Sequence, residues 1–60
     1  MRVGSLIRSR HDHEQRGLVT EVGPEETRTD HGDRCVRVVW FDGTHSIEFI
    51  RMLEVMSEAG

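Results

Sequence analysis

The sequence predicts an all-β protein, a small barrel of five short strands with one 3₁₀ turn before the last strand. One observation is the segment 34–44, which is rich in β-branched and aromatic residues and contains Asp42-Gly43, a pair typical of tight hairpin turns. The other is the spacing of four further short apolar segments between runs of turn and charged residues. Sixty residues leave room for a single domain, residues 1–60, in which 57–60 are expected to fray.

The segment 34–41 is the predicted central strand. Strand alternation places Val36, Val38 and Trp40 on one face. The opposite face then holds a single charge among otherwise uncharged side chains: Cys35, Arg37, Val39 and Phe41. We therefore expect one face to lie in the core and the other to be partly covered. Gly43 supplies the positive φ that a tight turn requires.

Shorter patterns predict the remaining elements. Further strands are expected at 2–9, 17–22, 44–49 and 54–56, with the 3₁₀ turn at 50–53. Two segments without apolar side chains, 10–16 and 23–33, are predicted loops. The apolar residues that alternation turns inward form the predicted core: Val3, Ile7, Val19, Val22, Val36, Val38, Trp40, Ile47, Leu53 and Val55, with Phe49 expected to face the same way.

Composition limits the classes of function. Hydrophobic residues make up 35% of the chain and charged residues 32%, which predicts a thin core and marginal stability. A net charge of −3 argues against strong non-specific binding to nucleic acid, which depends on positive charge. The single cysteine, Cys35, cannot form an internal disulfide, and no apolar run approaches the length of a membrane span. We expect a soluble cytoplasmic protein with no membrane partner.

Four short segments resemble pieces of the SH3-like small barrels, in particular KOW and Tudor-type domains. They are Val3-Gly4-Ser5-Leu6-Ile7-Arg8, Gly17-Leu18-Val19-Thr20-Glu21-Val22, Val36-Arg37-Val38-Val39-Trp40-Phe41-Asp42-Gly43 and Leu53-Glu54-Val55. The same segments resemble short proteins of phages and mobile elements. The resemblance spans nearly the whole chain and implies an SH3-like barrel, but such a fold carries many functions.

One enzyme family shares the implied architecture, the type II dihydrofolate reductases, which are SH3-like tetramers with one central pore. Their fourth strand carries Val-Gln-Ile-Tyr before a Leu-Glu pair, and the matching positions here are His45-Ser46-Ile47-Glu48 before Leu53-Glu54. Only the isoleucine is retained, and an anionic Glu48 would repel a phosphate-bearing cofactor. The expectation is a protein that is not an enzyme, with no catalytic residue and no cofactor; reductase activity is a second alternative.

Residue types that bind metals are present but poorly arranged. An extended His11-Asp12-His13 would place both imidazoles on one side, and His31, His45 and Cys35 lie elsewhere. A structural zinc site usually has four ligands at recognisable spacing. Loop histidines and a mid-strand thiol do not meet that pattern, so no metal site is expected.

The predicted function is a non-catalytic interaction module that binds a protein partner. By analogy with the grooves of SH3-like domains, its surface lies beside the first loop and the Asp42-Gly43 turn and consists of Arg8, Arg10, Phe41, His45 and Phe49. The alternative is a KOW-like nucleic-acid-binding module that would use Arg8, Arg10, Arg16 and Arg37, although Asp12, Glu14 and Glu21 would neutralise much of that patch. An aromatic cage for a methylated cation is disfavoured, because Trp40 is in phase with the core and such cages need several rings.

Self-association is also predicted. A domain of this size leaves sheet edges partly open, and free edges favour pairing. Four apolar side chains fall out of phase with the predicted core and are assigned to an interface: Leu6, Val39, Phe41 and Met52. We expect a homodimer or a higher even oligomer.

Overall fold

The computed structural model describes residues 1–25 and 34–58. Its strands are β1 (Leu6–Ser9), β2 (Arg16–Val22), β3 (Cys35–Trp40), β4 (His45–Phe49) and β5 (Leu53–Ser57). A 3₁₀ turn at Ile50–Met52 leads directly into β5. The predicted fold class is confirmed: the described residues are all-β, with five antiparallel strands and a 3₁₀ turn before the last one. Most of the predicted loop 23–33, including His31, and residues 59–60 of the predicted fraying tail lie outside the described residues.

The five strands form one sheet in the order β4-β3-β2-β1-β5. β5 returns to pair with β1, which brings Glu58 close to Met1. The ammonium group of Met1 lies 3.6 Å from Glu58 Oε1, and the Ser5 hydroxyl donates to the same oxygen at 2.9 Å. This arrangement is compatible with a small barrel-like fold, but the sheet is not closed, and β4 and β5 form its edges.

The β3–β4 connection is a three-residue hairpin loop. Trp40 and Thr44 close it, because the Trp40 N–H donates to the Thr44 carbonyl at 2.7 Å. Gly43 has φ +93°, and its N–H donates to the Trp40 carbonyl at 2.9 Å. Three-residue loops of this kind place a glycine in the left-handed region before the second strand. Phe41 therefore belongs to the turn and does not extend β3.

This loop length sets the register of β4. A two-residue loop at Asp42-Gly43 would place Ile47 opposite Val38 and Phe49 opposite Val36, as the core prediction requires. The observed register is shifted by one, with Val38 opposite Ser46 and Arg37 opposite Ile47. A one-residue shift moves every side chain of a strand to the other face. The assignment of Ile47 and Phe49 to the core was therefore wrong.

The core lies on one side of the sheet, here called the core face. Its buried apolar cluster contains Ile7, Val19, Val36, Val38, Trp40 and Leu53, with Met1 and Ile50 packed against it. All six buried residues were predicted. Gly17 allows β2 to approach β3 closely, since a Cβ atom there would lie 2.5 Å from the Val39 carbonyl oxygen. Burying one such aliphatic side chain contributes roughly 1.5–3 kcal/mol.

Three other predicted core residues are exposed: Val3 by 58%, Val22 by 44% and Val55 by 44%. Val3 lies in a turn before β1, where the Ser5 N–H donates to the Arg2 carbonyl. Val22 is the last residue of β2, and Val55 lies on the edge strand β5. Position at an end or an edge exposes them, because no further strand covers that side.

The core face of β4 is polar. The Trp40 indole Nε1–H donates to Ser46 Oγ at 2.7 Å, and that hydroxyl donates to Glu48 Oε2 at 2.7 Å. A buried indole N–H usually requires such an acceptor. Ser46 and Glu48, the positions matched to the reductase motif, thus lie in a hydrogen-bonded chain beside the core tryptophan.

Candidate functional site

An open groove of about 310 Å³ lies between the first loop and the β3–β4 turn. These two connections meet because the end of β1 and the start of β2 lie beside the end of β3 in the antiparallel sheet. The groove is lined by Asp12, Glu14, Gln15, Arg16, Phe41 and Asp42. It is the candidate site, since it brings an exposed aromatic ring and several charges into one concave surface.

Short-range hydrogen bonds shape the first loop. Ser9 Oγ accepts the backbone N–H groups of His11 at 3.2 Å and Asp12 at 3.3 Å. Asp12 Oδ1 accepts the Glu14 N–H at 3.1 Å, and the Asp12 carbonyl accepts the Gln15 N–H at 3.0 Å. Serine and aspartate stabilise turns through such bonds to nearby backbone. The loop therefore presents Asp12 and Glu14 from an ordered turn.

The opposite wall is the β3–β4 turn. Phe41 is 65% exposed, and its N–H donates to the Arg16 carbonyl at 2.9 Å. Asp42 Oδ1 accepts the Thr44 hydroxyl at 2.7 Å and the Thr44 N–H at 2.9 Å. The hydrogen bond from the Thr44 hydroxyl has the larger effect and the bond from the Thr44 N–H the smaller; together they hold the pKa of the Asp42 carboxyl below its usual value. This carboxylate is therefore charged at neutral pH.

Three carboxylates, Asp12, Glu14 and Asp42, face one guanidinium, Arg16, around this groove. The net local charge is negative when all four are ionised. An exposed aromatic face beside carboxylates suits a ligand that combines apolar surface with a basic group.

A second cluster ties the first loop to β5. Arg8 Nη2 lies 3.3 Å from Glu54 Oε2, and His13 Nε2 lies 3.3 Å from Glu54 Oε1. The Arg10 N–H donates to the Met52 carbonyl at 3.0 Å. The hydrogen bond from Arg8, more than the neighbouring positive charges, lowers the pKa of the Glu54 carboxyl. Together these contacts fix the base of the loop that forms one groove wall.

The predicted binding residues are dispersed. Phe41 lies on the groove. Arg8 is paired with Glu54, and Arg10 lies at the base of the first loop. His45 begins β4 beside Val39, and Phe49 ends β4 with the Arg51 guanidinium carbon 4.9 Å from its ring centroid. The roles of these residues in binding stay predictions.

The sequence predicted a binding surface beside these two connections, which stays a prediction, and it did not assign the polar wall of the groove. Asp12, Glu14, Gln15, Arg16 and Asp42 line the groove. None was predicted for a protein-binding surface, although Arg16 was named for the nucleic-acid alternative. The order of the strands could have indicated these residues. The β1–β2 and β3–β4 connections of consecutive antiparallel hairpins lie at the same end of the sheet, so polar residues in both can converge.

Two predicted interface residues lie in one row on the face opposite the core, here called the outer face. Leu6 is opposite Leu18, and Leu18 is opposite Val39, so the row crosses three adjacent strands. Leu18 was not predicted. Phe41 lies in the turn beyond β3, and Met52 lies on the 3₁₀ turn.

The arginines considered for phosphate binding occupy different surroundings. Arg8 is paired with Glu54, and Arg37 Nε lies 3.2 Å from Glu21 Oε1. Arg16 lies on the groove among carboxylates. Within the described ranges 1–25 and 34–58, no group of three or more His, Cys, Asp or Glu side chains could hold a metal ion. Cys35 is a buried free thiol.

In the same described ranges, no helix is long and apolar enough to cross a membrane. No protein-family model, curated protein or solved structure matches the chain.

Proposed function

We propose that this protein is a non-catalytic interaction module that binds a protein partner through the groove between the first loop and the β3–β4 turn. The observation that carries the proposal is Phe41, a large aromatic side chain 65% exposed on the wall of a concave surface. Exposed aromatic side chains in concave sites are typical anchors of protein recognition.

The strand order supports an SH3-like assignment for the domain. A meander of four strands, a 3₁₀ turn and a fifth strand that returns to β1 agree with the resemblance found in the sequence. Domains of that type place their grooves between the corresponding connections. This part of the proposal is an analogy of fold, and the site itself carries the functional argument.

The partner segment should combine a basic side chain with apolar surface. Asp12, Glu14 and Asp42 provide negative charge, and the protein as a whole carries −3. A guanidinium or ammonium group can lie over the Phe41 ring while it approaches a carboxylate. Arg16 can accept an acidic group of the same segment, which would fix its direction.

The same charges disfavour the KOW-like nucleic-acid alternative. Two of its four arginines, Arg8 and Arg37, are already paired with carboxylates, and a third lies in a negatively charged groove. Duplex binding would show a fall in log affinity with log salt of about 0.9 per phosphate contacted. Binding of that kind at about 50 mM salt would favour the alternative over the proposal.

The test compares binding of a matched set of short peptides, basic-aromatic and acidic-aromatic, to the wild type and to variants by calorimetry. We expect basic peptides to bind and Phe41→Ala to weaken them at least about tenfold, or roughly 1.4 kcal/mol. Val3→Ala is the control, because Val3 is similarly exposed but lies away from the groove. Equal affinities for the two variants would contradict the assignment of Phe41.

A charge variant sharpens the test. Glu14→Gln removes one groove carboxylate while preserving its shape, and Glu25→Gln removes an exposed carboxylate outside the groove. We expect only the first to weaken basic peptides, with a smaller difference at high salt because exposed charges are screened. Preference for acidic peptides would overturn the proposed partner chemistry.

A further inference from the structure

The centre of the outer face is apolar. Leu6, Leu18 and Val39 lie opposite one another on β1, β2 and β3, the three inner strands of the sheet. Leu18 is 38% exposed, and the other two are half-buried. A contiguous apolar row at the middle of a sheet face, and not at its edge, is a feature of interaction surfaces.

Opposite charges flank this row symmetrically along β2. On β3, Phe41 lies beside Arg16, since its N–H donates to the Arg16 carbonyl, and Arg37 lies opposite Glu21. Phe41 and Arg37 are each two residues from Val39, the residue opposite Leu18. Arg16 and Glu21 therefore each lie about 7 Å from Leu18 along the strand. The pairing register shifts between Val19 and Glu21, which leaves Thr20 as the extra residue of a bulge. Without that bulge, Glu21 would point toward the core face.

We propose that the outer face is a self-association surface on which two copies pack face to face. The two-fold axis crosses β2 at Leu18, perpendicular to the strand and within the interface. This operation places Leu18 against its equivalent and Arg16 of each copy against Glu21 of the other. Such an interface has an apolar centre, a charged rim and the isologous symmetry that is commonest among dimers.

A second copy fits this face because the charge pattern of β2 is its own complement. If the face carried charges of only one sign, two copies would repel each other and the partner would have to be a different protein. Arg16 and Glu21 lie at equal distances from Leu18, so in a two-fold dimer each can form an ion pair with the other residue of the second copy. Glu21 accepts Arg37 of its own chain through Oε1 at 3.2 Å, and a carboxylate can accept further donors. The side chain of Glu21 is 47% exposed, so it is accessible to the second copy.

The interface should be small. A stable complex typically buries about 800 Å² per partner, which is about a fifth of the 4073 Å² accessible surface of this protein. The proposed contact is confined to three apolar side chains and two reciprocal ion pairs. We therefore expect a weak dimer that dissociates within the micromolar to millimolar range. It goes beyond the proposed function, and Arg16 is the one residue named for it that also lines the groove.

The test uses two charge-reversal variants, Arg16→Glu and Glu21→Arg, in sedimentation equilibrium from about 1 µM to 1 mM. The wild-type mass should rise from 6.9 kDa toward twice that value. Each variant alone brings like charges together twice, so its dissociation constant should increase at least tenfold. An equimolar mixture restores both ion pairs in a heterodimer and should recover most of the wild-type affinity.

Two results would overturn the proposal: a wild-type mass of 6.9 kDa throughout the range, or a mixture that associates no better than its components. Leu18→Asn tests the apolar centre independently and should also weaken the dimer. Far-ultraviolet circular dichroism melts confirm that each variant is folded. Glu21 lies at the opposite end of β2 from the groove, so Glu21→Arg should retain peptide binding, which separates this proposal from the groove assignment.

Discussion

The two faces of the sheet use apolar side chains for different purposes. On the core face, Ile7, Val36 and Val38 are fully buried, and the remaining polar groups satisfy one another through Ser46. On the outer face, Leu18 stays partly exposed between ion pairs. The difference shows that burial, and not residue type, separates the residues that stabilise this domain from those available for recognition.

The strongest test of that comparison uses two adjacent aromatic residues. Trp40 is 5% exposed on the core face, and Phe41 is 65% exposed in the turn. Trp40→Ala should lower the free energy of unfolding by about 3–5 kcal/mol because it leaves a cavity. Phe41→Ala should change it by no more than about 0.5 kcal/mol. Urea denaturation measures both, and comparable losses would mean that the two faces are not distinct.

A second test concerns the polar groups on the core face. Ser46→Ala leaves the Trp40 indole N–H without its acceptor and should cost about 1–3 kcal/mol. Ser57→Ala is the matched control, because Ser57 is exposed on the edge strand β5. Thermal unfolding of both variants provides the measurement. If the two lost equal stability, the Trp40–Ser46 bond would contribute nothing specific.

The smallest expected effect concerns the ion pairs of the outer face. The hydrogen bond from Arg8 lowers the folded-state pKa of Glu54, so the folded protein holds this proton less tightly than the unfolded chain. The stabilisation is therefore present above the unfolded pKa of about 4.3 and is lost as the pH falls through the folded value. Denaturation midpoints between pH 3 and 7 should decline less in Glu54→Gln than in the wild type. Parallel curves would contradict this linkage.

The β4 strand illustrates where sequence reasoning failed. Its alternating residues fit either register, since Ile47 and Phe49 form one apolar set and Ser46 and Glu48 a polar one. Asp42-Gly43 predicted a turn but not its length. The three-residue loop, closed between Trp40 and Thr44, turned the polar set toward the core. Trp40 stabilises that choice because its indole N–H needs an oxygen, which isoleucine could not provide.

The two connections that flank the groove were predicted from their residues, but most of the side chains that line it were not. Phe41 was predicted as a binding residue and lines the groove, while its role in binding stays a prediction. Asp12 and Arg16, which line the groove with Phe41, were not assigned to this surface. Nothing within the segment 10–16 indicates which of its side chains turn toward the β3–β4 loop. Leu18 was missed for a related reason: its partners, Leu6 and Val39, lie on other strands.

The sequence by itself determined the all-β class, the central strand and the position of its turn. These depend on alternation and on local backbone preferences, which are properties of a few consecutive residues. Tertiary structure alone decided the register of β4, the bulge at Thr20 and the exposure of Val22 and Val55. Such features depend on pairing between distant residues, where a shift of one position exchanges the buried and exposed faces.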